Sequence, residues 1–255
     1  MFPVIFDAGK FTLYTYGFFV ALGVLAAVLF ARFEAKRVGV DPNRTADLCF
    51  YLVIAAILGS RLFFVAVNLD YFVHNPLEIF KIWSGGLVFY GGFIAALITA
   101  LVLIRAFKMP LGKIADIAAM AIPLGHFFGR LGCFSAGCCY GEKCDLPWAV
   151  TFEHPESLAP LNTPLHPTQL YSAAANLVIF LVLFAFRGKK RFDGQLFLFY
   201  LLLYGILRSV IEIFRGDDRG ALIMGVFSVS QVIGLSVVFF SIVILFVTRR
   251  KTSGT

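Results

Sequence analysis

The chain has 255 residues, of which 60% are hydrophobic and only 15% charged, against roughly 25% charged in an ordinary soluble domain. A mean hydropathy of +0.87 leaves more apolar surface than a soluble fold of this size hides, which excludes a disordered chain, a nucleic-acid module and an ordinary cytosolic enzyme. The 22 Lys and Arg against 15 Asp and Glu leave a net charge of +7, and in a membrane protein that excess holds anionic lipid at cytoplasmic loops.

The apolar stretches are continuous rather than alternating, which argues against a β-barrel. A spanning helix needs about 20 mostly apolar residues. In chain order, seven segments qualify: about Leu13–Ala31, Cys49–Val67, Leu87–Arg105, Ile114–Phe134, Pro167–Phe186, Gln195–Phe214 and Val226–Val247. The expected fold is an all-α integral membrane protein, one polytopic domain over residues 1–255. No basic opening segment with a small-residue cleavage site marks a removable leader. Loop charge sets the orientation. Arg32, Lys36, Arg37 and Arg44 follow the first segment, Arg105, Lys108 and Lys113 the third, and Arg187, Lys189, Lys190 and Arg191 the fifth. Arg249, Arg250 and Lys251 lie in the tail, while the alternate loops hold only Lys81, Lys143, Arg215 and Arg219. The N-terminus is therefore expected outside and the C-terminus in the cytoplasm. The longest loop, about 135–166, is then extracytoplasmic.

Arginine inside a spanning segment is costly unless paired or hydrated, so each one raises a functional question. In the sixth segment Tyr204, Arg208, Glu212 and Arg215 fall within about 80° of one another on a helix. The bland reading is an i,i+4 ion pair with Arg215 reaching to the interface. The excess cation favours an anion such as a phosphate. In the fourth segment His126, Arg130 and Cys133 share a face, and Gly125, Gly129 and Gly132 allow close helix packing. His126 reads more readily as a core residue than as a catalyst, and Asp116 as a cap or pairing group. Arg61 either reaches to the interface or helps hold an anion. Arginines converging near the outer leaflet suit a lipid phosphate, which guanidinium grips bidentately.

These residues resemble the bacterial phosphatidylglycerol–prolipoprotein diacylglyceryl transferases over nearly the whole chain. The resemblance is carried by Tyr14-Thr15-Tyr16-Gly17, Gly59-Ser60-Arg61-Leu62 and the run from Ser84 to Tyr90-Gly91-Gly92. It continues through Gly129-Arg130-Leu131-Gly132-Cys133-Phe134, His166-Pro167-Thr168-Gln169-Leu170-Tyr171 and the stripe from Tyr204 to Arg215. It implies transfer of an sn-1,2-diacylglyceryl group from phosphatidylglycerol to the lipobox cysteine of a prolipoprotein, with release of glycerol phosphate. It implies the cytoplasmic (inner) membrane, an active site toward the outer leaflet, and no metal or cofactor. Arg130, Arg208 and Tyr90 are the implied catalytic residues. Tyr16, Arg61, Cys133, His166, Gln169, Tyr171, Tyr204, Glu212 and Arg215 are the implied substrate contacts. His166, Gln169 and Tyr171 read equally as helix-start and inter-helix hydrogen-bonding groups.

The chain departs from the family pattern twice. Cys133 stands where the family signature has asparagine, and Ala136-Gly137-Cys138-Cys139-Tyr140-Gly141 replaces an Asn-Gly-Glu stretch. Tyr90 stands where the best-known members carry a histidine proposed as the base. His126 and His166 are the substitutes by segment position.

Four of the five cysteines (133, 138, 139, 144) fall within twelve residues. A loop disulfide of Cys144 with Cys138 or Cys139 is the leading reading in an oxidising compartment. Metal binding with His154 or His166, a reactive thiol, and self-modification of Cys138 in Ser135-Ala136-Gly137-Cys138 stand behind it. Two other functions fit parts of the sequence: a thiol–quinone oxidoreductase using the loop cysteines, and a relative that binds or flips lipid without transfer.

Overall fold

A computed structural model describes residues 2–7, 9, 12–81, 85–217 and 228–252. Ser84, Arg219 and the start of the seventh predicted segment at Val226 lie outside the described residues, as do the side chains of Arg249, Arg250 and Lys251. The chain is mostly helical, and seven helices are long and apolar enough to cross a membrane. It forms two compact units, residues 1–30 with 115–255, and residues 31–114. Each is described in turn.

In chain order, strands β1 (Val4–Asp7) and β2 (Thr12–Tyr14) pair antiparallel before α1 (Thr15–Arg37). Then follow α2 (Pro42–Val67), the short α3 (Leu69–His74), α4 (Phe89–Ala106) and α5 (Leu111–Ala136). Two-residue strands β3 (Val150–Thr151) and β4 (Pro164–Leu165) interrupt the next connection. The chain closes with α6 (Thr168–Phe186), α7 (Gln195–Glu212) and α8 (Val229–Thr252). The seven predicted spans correspond to α1, α2, α4, α5, α6, α7 and α8. Outward faces carry residues such as Phe50, Leu58, Leu62, Phe93, Ile98 and Val102, a surface suited to lipid rather than water.

In the 31–114 unit, Asp41 caps α2 by accepting from the Asn43 N–H at 2.8 Å, with Pro42 opening the helix. α2 then packs along α4 through small residues. A Cβ on Gly59 would meet the Gly91 carbonyl at 2.6 Å and the Ala95 Cβ at 2.3 Å, so the two backbones touch only because glycine is there. Arg61 is buried in α2. Its guanidinium donates to the carbonyls of Glu78, Ile79 (2.9 Å), Gly85 (2.8 Å) and Gly86 (3.2 Å). The rings of Phe64 and Phe72 lie 5.6 and 5.4 Å from it. Gly86, at φ +71°, would carry its Cβ 2.8 Å from the Arg61 Nη1. Arg61 therefore pins the connection before α4, and its donors are taken up by backbone. Tyr90 stands in the first turn of that helix with its ring exposed.

In the other unit, Ala119 and Met120 of α5 pack with Ile179 and Leu183 of α6 and with Leu196 and Tyr200 of α7. α1 joins through glycine, because a Cβ on Gly23 would meet the Gly125 carbonyl at 2.7 Å. Gly132 likewise lies against Tyr16 and Phe19, whereas Gly129 faces open space. Asp116 takes the capping role expected of it. One carboxylate oxygen accepts from Leu196 N (2.9 Å) and Phe197 N (3.3 Å), the other from Gly194 N (3.0 Å) and Lys190 Nζ (2.7 Å). It supplies the start of α7 with the acceptor that Gly194 lacks.

The 137–167 connection has its own core of Phe152, Ala159 and Leu165 under Phe134, Tyr140 and Val150. Bridges from Gly141 to Arg215 and from Lys143 to Leu165 fasten it.

Asp116→Ala is expected to cost about 2 kcal/mol, since it leaves three amide donors uncapped and Lys190 paired with Asp193 alone. Burial lowers the Lys190 pKa, but its bonds to Asp116 and Asp193 outweigh this and hold it above its ordinary value. The pair's contribution is thus complete below about pH 10.4 and is lost as pH rises through the higher folded value. Thermal unfolding in detergent should show the wild-type advantage over Asp116→Ala shrinking only at strongly alkaline pH. An advantage that vanishes on acidifying from pH 9 to 7 would contradict the assignment.

Candidate active site

The site is built on α5, α6 and α7. Arg208 and Glu212 pair across one turn of α7, Nη1 to Oε2. The second Glu212 oxygen accepts from Ser230 Oγ at 2.5 Å, so the start of α8 locks the acid in place. Both side chains are largely buried, 14% and 5% exposed. Above them Tyr204 stacks on Tyr200 with ring centres 5.6 Å apart, and the His126 ring lies 6.1 Å from Tyr204.

A narrow cleft with a cavity volume of about 10 Å³ opens beside the pair, lined by Arg130, Ser172, Asn176, Tyr204, Leu207 and Arg208 among others. None of its described lining residues is a carboxylate. Among the described residues Arg130 has neither a hydrogen-bond acceptor nor an acid within 4.0 Å, unlike Arg61 and Arg208. Asn176 is buried, and its Nδ2 donates to the Ser172 carbonyl at 2.7 Å while its Oδ1 has no partner. The cleft thus combines two guanidiniums with a spare amide oxygen inside an apolar bundle. Such an arrangement calls for an anion that also carries hydroxyl donors.

Asn176, Ser172 and Ser230 were not among the expected site residues. A signal for the first two exists in the sequence. Thr168, Ser172 and Asn176 recur every four residues along an otherwise apolar helix, and all three are buried, which marks an inward polar stripe.

Arg215 differs from expectation. α7 stops at Glu212, residues 213–214 turn, and Arg215 leaves the helical stripe to bridge Gly141. Its guanidinium clasps Asp217 through Nε and Nη2, both at 2.7 Å. Burial alone would lower its pKa, but Asp217 and Cys139 hold it above the ordinary arginine value. Arg215 is accordingly a paired cation that fastens the 137–167 connection to the end of α7.

His166, Gln169 and Tyr171 cluster at the start of α6. His166 Nδ1 lies 3.2 Å from the Tyr171 hydroxyl, which accepts from Trp148 Nε1 at 2.7 Å. The His166 backbone bonds to Gly141 N and Glu142 O. Gln169 Nε2 donates to the Cys138 carbonyl and Thr168 Oγ1 to the Cys139 carbonyl, each at 2.8 Å. Gln169 Oε1 is buried without a partner.

Those carbonyls belong to a cluster of thiols. The sulfurs of Cys133, Cys138 and Cys139 all lie within 4.8 Å of one another. The Tyr16 phenol and Arg130 lie within electrostatic reach of them. All five cysteines are free, and Cys144 stands outside the cluster, its N–H on the Pro164 carbonyl. The loop disulfide expected for Cys144 is therefore not formed. Cys133, one turn beyond Arg130 on α5, takes the place that had been given to Cys144. Hydrogen bonds from the Cys133 and Cys138 thiols, helped by Arg215 and Arg130, pull the Cys139 thiol well below its ordinary range. Its hydrogen bonding to Cys133 and Cys139 pushes the Cys138 thiol up.

The chain matches the family described as prolipoprotein diacylglyceryl transferase over residues 3–247. It is 34% identical over 249 residues to the phosphatidylglycerol–prolipoprotein diacylglyceryl transferase of Clostridium tetani, covering 98% of each chain. It is 34% identical to that of Geobacter sulfurreducens over 255 residues (98% of this chain, 96% of the relative), and 34% to that of Rhodospirillum rubrum over 259 (97% and 92%). The chain belongs to the prolipoprotein diacylglyceryl transferase family. Of the residues expected to act in such a transferase, Arg130, Arg208 and Tyr204 meet at one cleft. Glu212 supports Arg208, while Cys133 and Tyr16 gather at the thiols. Tyr90 and Arg61 belong to the other compact unit.

A thiol held below its ordinary pKa stays ionised across the neutral range. In chelator-treated protein, alkylation of Cys139 by iodoacetamide is expected to change little between pH 6 and 8. An ordinary thiol, with a pKa near 8.5, speeds up about tenfold per unit. Site-resolved mass spectrometry measures this directly, and a tenfold rise per unit at Cys139 would contradict the geometry.

Proposed function

We propose that the protein moves the sn-1,2-diacylglyceryl group of phosphatidylglycerol onto the lipobox cysteine thiol of a prolipoprotein and releases glycerol phosphate. The observation that carries this reading is Arg130 without a counter-acid beside Arg208, in a cleft between apolar helices, in a chain that matches the transferase family almost end to end. A lipid phosphate is the anion such a cleft suits, because the acyl chains stay in the bilayer while guanidinium takes the headgroup.

The acceptor sulfur, as thiolate, attacks the glyceryl carbon that carries the phosphate. The carbon–oxygen bond breaks, and its electron pair leaves with the phosphate oxygen. Arg130 and Arg208 hold that phosphate and stabilise the charge that grows on it. Glu212, fixed by Ser230, sets the Arg208 rotamer. Asn176 and Tyr204 offer hydrogen bonds to the headgroup hydroxyls. His166, Gln169 and Tyr171 hold the 137–167 connection in place next to α6. Tyr90 acts as a headgroup contact or proton carrier from α4.

The basic loops after α1, α4 and α6 support a cytoplasmic C-terminus and an outer-leaflet site in the inner membrane. Arg215, one of the few cations on the opposite side, is neutralised by Asp217.

Reconstituted in phosphatidylglycerol vesicles with a lipobox peptide, wild type should release glycerol phosphate and add a diacylglyceryl mass to the peptide. Arg130→Ala and Arg208→Ala are each expected to lose about 100-fold or more, the scale for one lost transition-state donor, while still inserting. Tyr90→Phe run alongside reports whether the phenol takes part. Normal lipidation in both arginine variants would sink the assignment.

A further inference from the structure

The three-thiol cluster has no part in the chemistry above, and its geometry is that of a ligand set. We propose that Cys133, Cys138 and Cys139 form a zinc-class metal site whose open fourth position takes the acceptor thiol. The last clause rests on the transferase reading. The site itself does not.

Zinc–sulfur bonds of about 2.3 Å in a tetrahedron put the sulfurs about 3.8 Å apart, and these three already lie within 4.8 Å of one another. Closing onto an ion needs shifts of under about an ångström, within the reach of side-chain rotation. The cluster is also held in place from outside. Cys133 rides the last turn of α5. The chain then turns back through Gly137 at φ +76° and Cys139 at φ +61°, the latter an uncommon conformation for a residue with a side chain. Fully buried Gln169 and Thr168 clamp the two carbonyls of that turn. Gln169 Oε1, an unpartnered acceptor, remains within one amide's width of the Cys138 carbonyl.

Charge suits the ligand set as well. Three thiolates on a divalent ion leave one net negative charge. Arg130 and Arg215 both act electrostatically on Cys139.

Among the described residues the group has three ligands and no fourth. Closed structural zinc sites have four protein ligands, while catalytic ones have three and an open position. A thiol entering that position loses its proton outright. The proton leaves to solvent, the metal-bound sulfur remains the nucleophile, and no electron transfer is involved.

Purified full-length protein, stripped of metal and titrated with cobalt(II), tests the site. The expected result is about one tightly held equivalent, with a thiolate-to-cobalt charge-transfer band and the visible bands of tetrahedral cobalt. Cys133→Ser, Cys138→Ser and Cys139→Ser should each abolish the charge-transfer band or weaken it severalfold, and Cys49→Ser and Cys144→Ser should not. A lipobox peptide should shift the visible bands, and its Cys→Ser analogue should leave them alone. Octahedral spectra, or uptake unchanged in all three variants, would mean adventitious metal and overturn the site. Native protein carrying a disulfide within the trio would overturn it too. Wild-type transfer rates in chelated, metal-free protein would overturn the acceptor role and leave the transferase reading standing. Zinc-loaded protein that binds the peptide thiol but transfers nothing would support the metal site and count against the transferase reading.

Discussion

Charge inside a bilayer must be answered from within the protein, because no bulk water is present to answer it. Most interior charges here are answered completely. Arg61 gives its donors to four backbone carbonyls, Glu34 is clasped by Arg37, and Asp116 receives Lys190 and three amides. Arg208 is answered by Glu212, which Ser230 also holds. Among the described residues Arg130 has no carboxylate partner, though the Cys139 thiol is within electrostatic reach, beside a cleft it shares with Arg208 and Asn176. A guanidinium without a carboxylate is costly in such a place, and a ligand anion offsets the cost when it binds. The remaining features of the site follow from presenting that charge to a lipid headgroup.

The surrounding fold serves the same end through backbone proximity. Glycines let α1 approach α5 at Gly23 and Gly125, and again at Gly132 beside Tyr16. Gly129, one residue before Arg130, faces open space instead. The small residue there leaves room next to the cation. The 137–167 connection is tied to both ends of the site, by Gln169 and Thr168 to α6 and by the Gly141–Arg215 bridge to the end of α7. That double attachment gives the connection a fixed shape.

Features governed by local periodicity were legible in the sequence. The seven spans, the Arg208–Glu212 pair and the cap at Asp116 depend on helix spacing and on the cost of burying charge. So did the close packing at Gly125 and Gly132. Features that depend on long-range backbone pairing were not. Arg215 continues the stripe on a helical wheel, yet its partner strand segment at Gly141 stops the helix at Glu212. The thiol trio escaped because Cys133 lies on a helix and the other two return to it only through a left-handed turn. Asn176 repeats with Thr168 and Ser172 at helical spacing, but it carries no formal charge, so its burial costs less than an arginine's and marks it more weakly in the sequence. The two small strand pairs are too short for any alternating pattern to reveal.

The central claim is that the cleft needs a cation at position 208 itself, rather than merely an intact ion pair in α7. Exchanging the partners, as Arg208→Glu with Glu212→Arg, keeps the pair and the net charge but moves the guanidinium to a residue that does not line the cleft. Transfer from phosphatidylglycerol to a lipobox peptide should be lost in this exchanged protein while it still folds and inserts, less stable by about the one hydrogen bond that Ser230 gave to Glu212. Transfer at the wild-type rate would show that the pair serves the fold alone and would contradict the account.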